Sequence, residues 1–303
     1  MVDSVTPPEA IGFVGLGNMG APMARRLAAA GYKLVVADVD GAAVARFADG
    51  TPCRHEPNLA VLGGACRVVI TMLPDGHIVR DVVLGANGIA AGLQRDAVVI
   101  DMSSSAPVGT RELGAVLAGR GVHLVDAPVS GGVAKALDGT LAVMAGGETP
   151  VVERCRPLLD VFGCVFPTGG PGTGHAMKAL NNFLSAAHLA SAAEGIIAGT
   201  RFGIEPKTMV EILNHSSGRS YSTEYKYPKF ILSGTFNAGF ALGLMAKDVR
   251  LALELARANG APHELLQTVS DTWNRAEQQL GPRADHTEIA KYLESLAGEV
   301  ADE

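Results

Sequence analysis

The stretch Gly15-Leu16-Gly17-Asn18-Met19-Gly20 narrows the possible folds more than any other part of the chain. An apolar run, Ile11–Val14, leads into it, and an Ala-rich helical stretch, Met19–Ala30, leads out. A GxGxxG recurs by chance; between a strand and a helix it describes a particular turn. The first glycine permits the tight bend, the second lets backbone approach a pyrophosphate, and the third lets helix and strand pack closely. The helix N-terminus then attracts the negative charge. Pro22 falls in the first helical turn, where its missing N–H costs little. The next run, Leu34–Ala37, ends at Asp38, close to where an acidic residue would hold the adenosine ribose. That carboxylate accepts from both ribose hydroxyls and repels a 2′-phosphate. Val39 and Asp40 follow it, not Arg or Lys. The expected cofactor is therefore NAD rather than NADP, held by Gly15, Leu16, Gly17, Asn18, Met19, Gly20 and Asp38. The competing explanation is a purely structural glycine turn beside a strand-end aspartate.

The rest of the first half repeats this alternation. Runs at Lys33–Ala37, Arg67–Met72, Ala97–Asp101, Val122–Asp126, Leu141–Met144 and Cys164–Phe166 suit strands buried on both faces. Helical stretches lie between them at Ala42–Ala48, Ile78–Leu84, Ala106–Ala118 and Pro150–Val161. The alternation predicts an α/β Rossmann-type, doubly wound sheet. The pattern changes after the glycine-rich loop Thr168–Gly174. A long helix, about 174–202, begins there, and only helical stretches follow: Pro206–Asn214, Leu242–Asn259 and His263–Gln279. Residues 216–239 read as a polar, Tyr-rich connection, and 298–303 as a short acidic end. The expected division is a dinucleotide-binding domain, 1–172, and an all-helical domain for substrate and self-association, 173–303.

Composition excludes several function classes. The formal net charge of -6 argues against nucleic acid or an anionic membrane surface as partner. The four cysteines, Cys53, Cys66, Cys155 and Cys164, form no CxxC pair, and no histidine cluster has metal-ligand spacing, so no metal is expected. Residues 1–10 lack the positive start and apolar run of a signal peptide. No stretch has the roughly 18 apolar residues of a spanning helix. These features suggest a cytoplasmic protein with reduced thiols.

Three further places carry candidate chemistry. In open α/β sheets ligands lie beyond the carboxyl ends of strands, which marks Leu73, Pro74 and Ser104 as cofactor neighbours. Singly, each is an ordinary loop residue. Ser130-Gly131-Gly132 offers a hydroxyl and successive backbone N–H groups, suited to a substrate carboxylate, or else a simple turn. Lys178 and Asn182 are four apart and share one helix face. A lone helical lysine is usually a solvated charge. Here its chain neighbours are small or apolar, the segment joins two domains, and desolvation favours the neutral amine that exchanges protons with a hydroxyl. The adjacent Lys247 and Asp248 alone read as a surface charge pair.

Together these segments resemble the β-hydroxyacid dehydrogenase family, which includes 3-hydroxyisobutyrate dehydrogenases and tartronate semialdehyde reductases. The carriers are the start at Gly12–Gly20, DAPVSGG at Asp126–Gly132, GxGxxxKxxNN at Gly172–Asn182, and Lys247–Asp248. The resemblance implies that Lys178 is the acid/base, with Asn182 as its helical partner. It implies that Ser130, Gly131 and Gly132 hold the substrate carboxylate. Lys247 would reach the cofactor and active site, oriented by Asp248. Ser104 stands where many members carry Thr. Tyr221 takes an aromatic position in the substrate segment, and the polar Glu224–Tyr227 beside it points to hydroxyl-rich substrates. Homodimers or homotetramers through the helical domain are implied as well. The alternatives are a reductase of tartronate semialdehyde or another polar hydroxy acid, an imine reductase, which usually lacks the lysine, and a non-catalytic cofactor-binding protein.

Overall fold

The protein is described here by a computed structural model covering residues 4–299; most of the acidic end read from the sequence lies outside the described residues. The chain divides into two compact units, Met1–Lys178 and Ala179–Glu303. The division falls inside the long helix, Thr173–Phe202, six residues beyond the boundary expected from the glycine-rich loop.

The first unit is built on one sheet. Its strands are β1 (Ala10–Val14), β2 (Lys33–Ala37), β3 (Arg54–His55), β4 (Val68–Thr71), β5 (Val98–Asp101), β6 (His123–Asp126), β7 (Val129–Ser130), β8 (Leu141–Gly146) and β9 (Gly163–Gly169). The order is β3-β2-β1-β4-β5-β6-β8-β7, with β9 paired to β8. Strands β3 through β6 in that path are parallel, whereas β8 runs antiparallel to β6 and β7. The strand side chains alternate between two cores. Ile11, Phe13, Leu34, Val36, Val68, Ile70, Val98 and Ile100 face one, packed by helices Gly20–Ala29, Gly41–Ala48 and Thr149–Leu159. Val14, Val35, Val69 and Val99 face the other, packed by helices Leu59–Ala65, Gly76–Leu84 and Pro107–Ala118. This two-sided burial is why the strands are apolar throughout. From β1 the chain winds outward to β2 and β3, then returns to β4 on the other side. The carboxyl ends of β1 and β4 therefore flank the point where the winding reverses, where such sheets bind ligands.

The second unit is helical. Ala186, Leu189, Ala190, Ala193 and Ile196 of the long helix line its core with Val249 and the fully buried Trp273. Residues 216–239, expected as a connection, instead contain a π-helical segment, Ser222–Ile231. Its i→i+5 bonding has no apolar period of the 3.6-residue kind, which is why the sequence hides it. Helix Ile289–Glu299 was likewise hidden beside the acidic end.

Candidate active site

The glycine turn joins β1 to helix Gly20–Ala29. Gly15 has φ +100°, and a side-chain carbon there would strike the Met72 carbonyl oxygen. At Gly20 it would strike the carbonyl oxygen of Gly15. At Gly17 it would meet nothing within 4 Å. The first and third glycines thus serve the fold, and the second leaves open space. No side chain caps this helix, unlike the three helices begun by Asp40, Asn58 and Asp75. The uncapped turn and the clear ground above Gly17 fit a dinucleotide pyrophosphate.

Asp38 is tied to the turn directly. Its Oδ2 accepts from Leu16 N at 2.6 Å, and its Oδ1 accepts from Asp40 N at 2.8 Å. The Leu16 side chain is buried in the core, so only Gly17, Asn18 and the half-buried Met19 of the middle of the motif face outward. The next strand ends are joined by Ser103, which the sequence reading passed over: its Oγ accepts from Leu73 N at 2.9 Å. Ser104 beside it is half-buried, and Pro74 is exposed.

Beneath these loops lies a buried polar cluster. Asp101, ending β5, accepts from Thr71 Oγ1, Ser103 N and Ser105 Oγ at 3.0, 3.0 and 2.7 Å. Asp126, ending β6, accepts from Gly172 N and His175 N at 2.7 and 2.8 Å, and so holds the start of the long helix. Burial raises the Asp126 carboxyl above the ordinary carboxylate range, against the pull of His175 and the two N–H groups. The His175 ring lies between Thr110 Oγ1, at 2.8 Å, and the Ser103 carbonyl, at 3.1 Å. Asp126 and His175 had no assigned role in the sequence reading; their partners lie 46 to 72 residues away along the chain, beyond any local signal.

Ser130 ends β7 and is half-buried, and Gly131 and Gly132 follow with φ +138° and +70°. Both glycines are exposed, and the Lys135 stem lies over the Gly131 Cα. Lys178 is half-buried on the long helix. Its apolar chain neighbours do not enclose it: Met177 and Leu180 are 42% and 36% exposed on other faces of the helix.

One turn on, in the helical unit, Asn182 is buried and donates Nδ2 to Asp248 Oδ2 at 2.6 Å. Asn181 Nδ2 donates to its Oδ1 at 3.0 Å. A carboxylate only accepts, so the Asn182 amide is oriented by Asp248 and keeps a second N–H. The Lys247–Asp248 pair is not the surface pair expected from spacing. Asp248 is 2% exposed, and its Oδ1 lies 3.7 Å from the Lys247 ammonium. Tyr221 is exposed at the start of the π-helical segment, its ring stacked on Tyr225 at 5.1 Å.

A doubly wound sheet with this turn, followed by a helical unit entered through one long helix, defines an NAD(P)-dependent oxidoreductase acting on CH–OH groups. Residues 10–170 match the family described as the NAD binding domain of 6-phosphogluconate dehydrogenase. Residues 172–293 match that described as NAD-binding of NADP-dependent 3-hydroxyisobutyrate dehydrogenase. The chain belongs to the β-hydroxyacid dehydrogenase family. It is 38% identical to the 2-(hydroxymethyl)glutarate dehydrogenase of Eubacterium barkeri, over 95% of this chain and 96% of that one. It is 37% identical to human mitochondrial 3-hydroxyisobutyrate dehydrogenase, over 86% and 79%. Among solved structures, Mycobacterium tuberculosis 3-hydroxyisobutyrate dehydrogenase with L-serine superposes with a TM-score of 0.87 at 29% identity, over 94% and 99%. No helix among the described residues is long and apolar enough to cross a membrane.

Proposed function

We propose that this enzyme interconverts a small 3-hydroxy acid and its semialdehyde, with NAD as its preferred dinucleotide. The observation that carries the reading is Asn182, buried one turn beyond Lys178 and oriented by Asp248 at 2.6 Å. A buried amide held this firmly is a pre-aligned donor for a reacting oxygen. The nicotinamide, when bound, supplies the hydride acceptor or donor. In oxidation the Lys178 amine takes the hydroxyl proton; in reduction its ammonium polarises the carbonyl and returns the proton. The second N–H of Asn182 donates to the same oxygen. Ser130 Oγ and the Gly131 and Gly132 N–H groups hold the substrate carboxylate, both glycines being exposed and bent through positive φ. Tyr221 offers an aromatic face to the substrate side chain.

Leu73, Pro74 and Ser104 border the dinucleotide beyond β4 and β5, and Lys247, steadied by Asp248, completes its surroundings. Asp38 supports NAD over NADP because a 2′-phosphate would meet its carboxylate. Residues 1–172 hold the dinucleotide. Residues 173–303 serve the substrate and assembly into a homodimer or homotetramer, and the protein acts in the cytoplasm.

Lys178→Ala is expected to lower kcat about 10²- to 10⁴-fold while NADH still binds, as read by NADH fluorescence titration. Near-normal turnover in that variant contradicts the assignment. Parallel assays with NADP test the role given to Asp38.

A further inference from the structure

Lys226 is a buried cation that the chemistry above leaves unused. It is 5% exposed, within the π-helical segment, and donates to Ser185 Oγ at 2.9 Å. Among the described residues no carboxylate lies within ion-pair distance of it. Asp285 acts on it from further off, but that carboxylate is engaged by Gly239 N, Thr287 N and Thr287 Oγ1 at 2.8, 3.0 and 2.5 Å. Burial accordingly pushes the Lys226 ammonium down to about 8. A buried charge without a counter-ion costs stability, and a purely structural role would be met by an apolar side chain of the same length.

Its hydrogen-bond partner belongs to the long helix that also carries Lys178 and Asn182. Ser185 lies three residues beyond Asn182 and seven beyond Lys178, so the three share one stripe of the long helix. The axial step from Asn182 to Ser185 is about 4.5 Å, which a short carbon chain spans. The cation is carried by a π-helical segment, a rare form that concentrates at functional sites.

We propose that Lys226 and Ser185 form a subsite for a second anionic group, a carboxylate at the far end of the substrate, so that the preferred substrates are 3-hydroxy diacids. The proposal rests on the assignment of Lys178 and Asn182 to the reacting oxygen. The substrate then brings the counter-charge that the fold withholds, and Ser185 adds a second donor to the same carboxylate.

Two measurements test it. The first is steady-state oxidation of 2-(hydroxymethyl)glutarate and 3-hydroxyisobutyrate by the wild type and Lys226→Met. The wild type is expected to favour the diacid at least about tenfold in kcat/KM. That ratio should fall about 30-fold in the variant, through KM for the diacid, as loss of a charged hydrogen bond implies. A wild type that prefers the monoacid, or an unchanged ratio in the variant, overturns the proposal. The second is calorimetric binding of glutarate and butyrate to the wild-type protein saturated with NADH. Glutarate should bind at least about tenfold more tightly, and equal binding overturns the subsite. Glutarate has no hydroxyl to oxidise, so this titration reads the subsite even where turnover fails, and failure of turnover on both acids counts against the reaction assignment instead.

Discussion

Lys226 is a buried cation, and the cost of its burial has a sign that can be measured. Burial lowers its pKa from 10.5 to about 8. Between those values the unfolded chain binds more protons than the folded one, so stability rises with pH across that window. Below pH 8 the full penalty applies, about 3 kcal/mol at most. Lys226→Met is therefore expected to stabilise the protein at pH 7 by about 1–3 kcal/mol, with the gain shrinking towards pH 10.5. Urea titrations at pH 7 and pH 10 read both values, and destabilisation at pH 7 would show that the bond to Ser185 outweighs the burial. At this scale some residues were legible beforehand and others were not. Gly15, Gly20 and Asp38 announce themselves because their demands are local: a positive φ, a close approach, a strand end. Asn182 could be placed beside Lys178 by spacing, but its grip on Asp248 joins residues 66 apart along the chain.

The long helix, Thr173–Phe202, is started by a residue far from it in sequence. Asp126 lies at the end of β6 and accepts from Gly172 N and His175 N, both buried. In the sequence it is merely the first letter of the segment that ends in the two exposed glycines. Replacing it with alanine leaves two buried donors unsatisfied, at about 1–3 kcal/mol each. Asp126→Ala is expected to lose about 2–4 kcal/mol in urea unfolding at pH 7. Lys178 lies one turn inside the helix that Asp126 anchors, so kcat should fall with it. A variant of unchanged stability would mean that water replaces the carboxylate at both N–H groups. Except for β9, whose end at Gly169 lies three residues beyond the expected run, the strands named in advance were legible to within a residue or two because each is apolar and bounded by glycine or a polar turn. The two-residue strands β3 and β7 and the helix Gly132–Asp138 were not, since nothing so short carries a period.

For the whole molecule, His286 in the helical unit is a buried group that links stability to acid pH. Burial, with Lys226 nearby, lowers the His286 imidazole from 6.5 to about 4. Between those values the unfolded chain again binds more protons, so stability falls as the pH drops from 6.5 towards 4, by about 3 kcal/mol at most. Trp273, the one tryptophan of the chain, is fully buried in the same unit and reports its unfolding by fluorescence. The Trp273 transition should move to lower urea on acidification, and much less so in His286→Phe; an equal shift in that variant would assign the acid dependence elsewhere. The sequence alone determined the doubly wound sheet, the glycine turn, the strand-end Asp38 and the change to an all-helical second half. Each of these follows from patterns a few residues long, in which hydrophobic period and glycine sterics act locally. Only the tertiary structure decided that Asp126 anchors the long helix, that Asp248 orients Asn182, and that the buried Lys226 donates to Ser185 of that helix. Those are pairings between distant segments, whose electrostatics exist only once burial has removed the water that screens them.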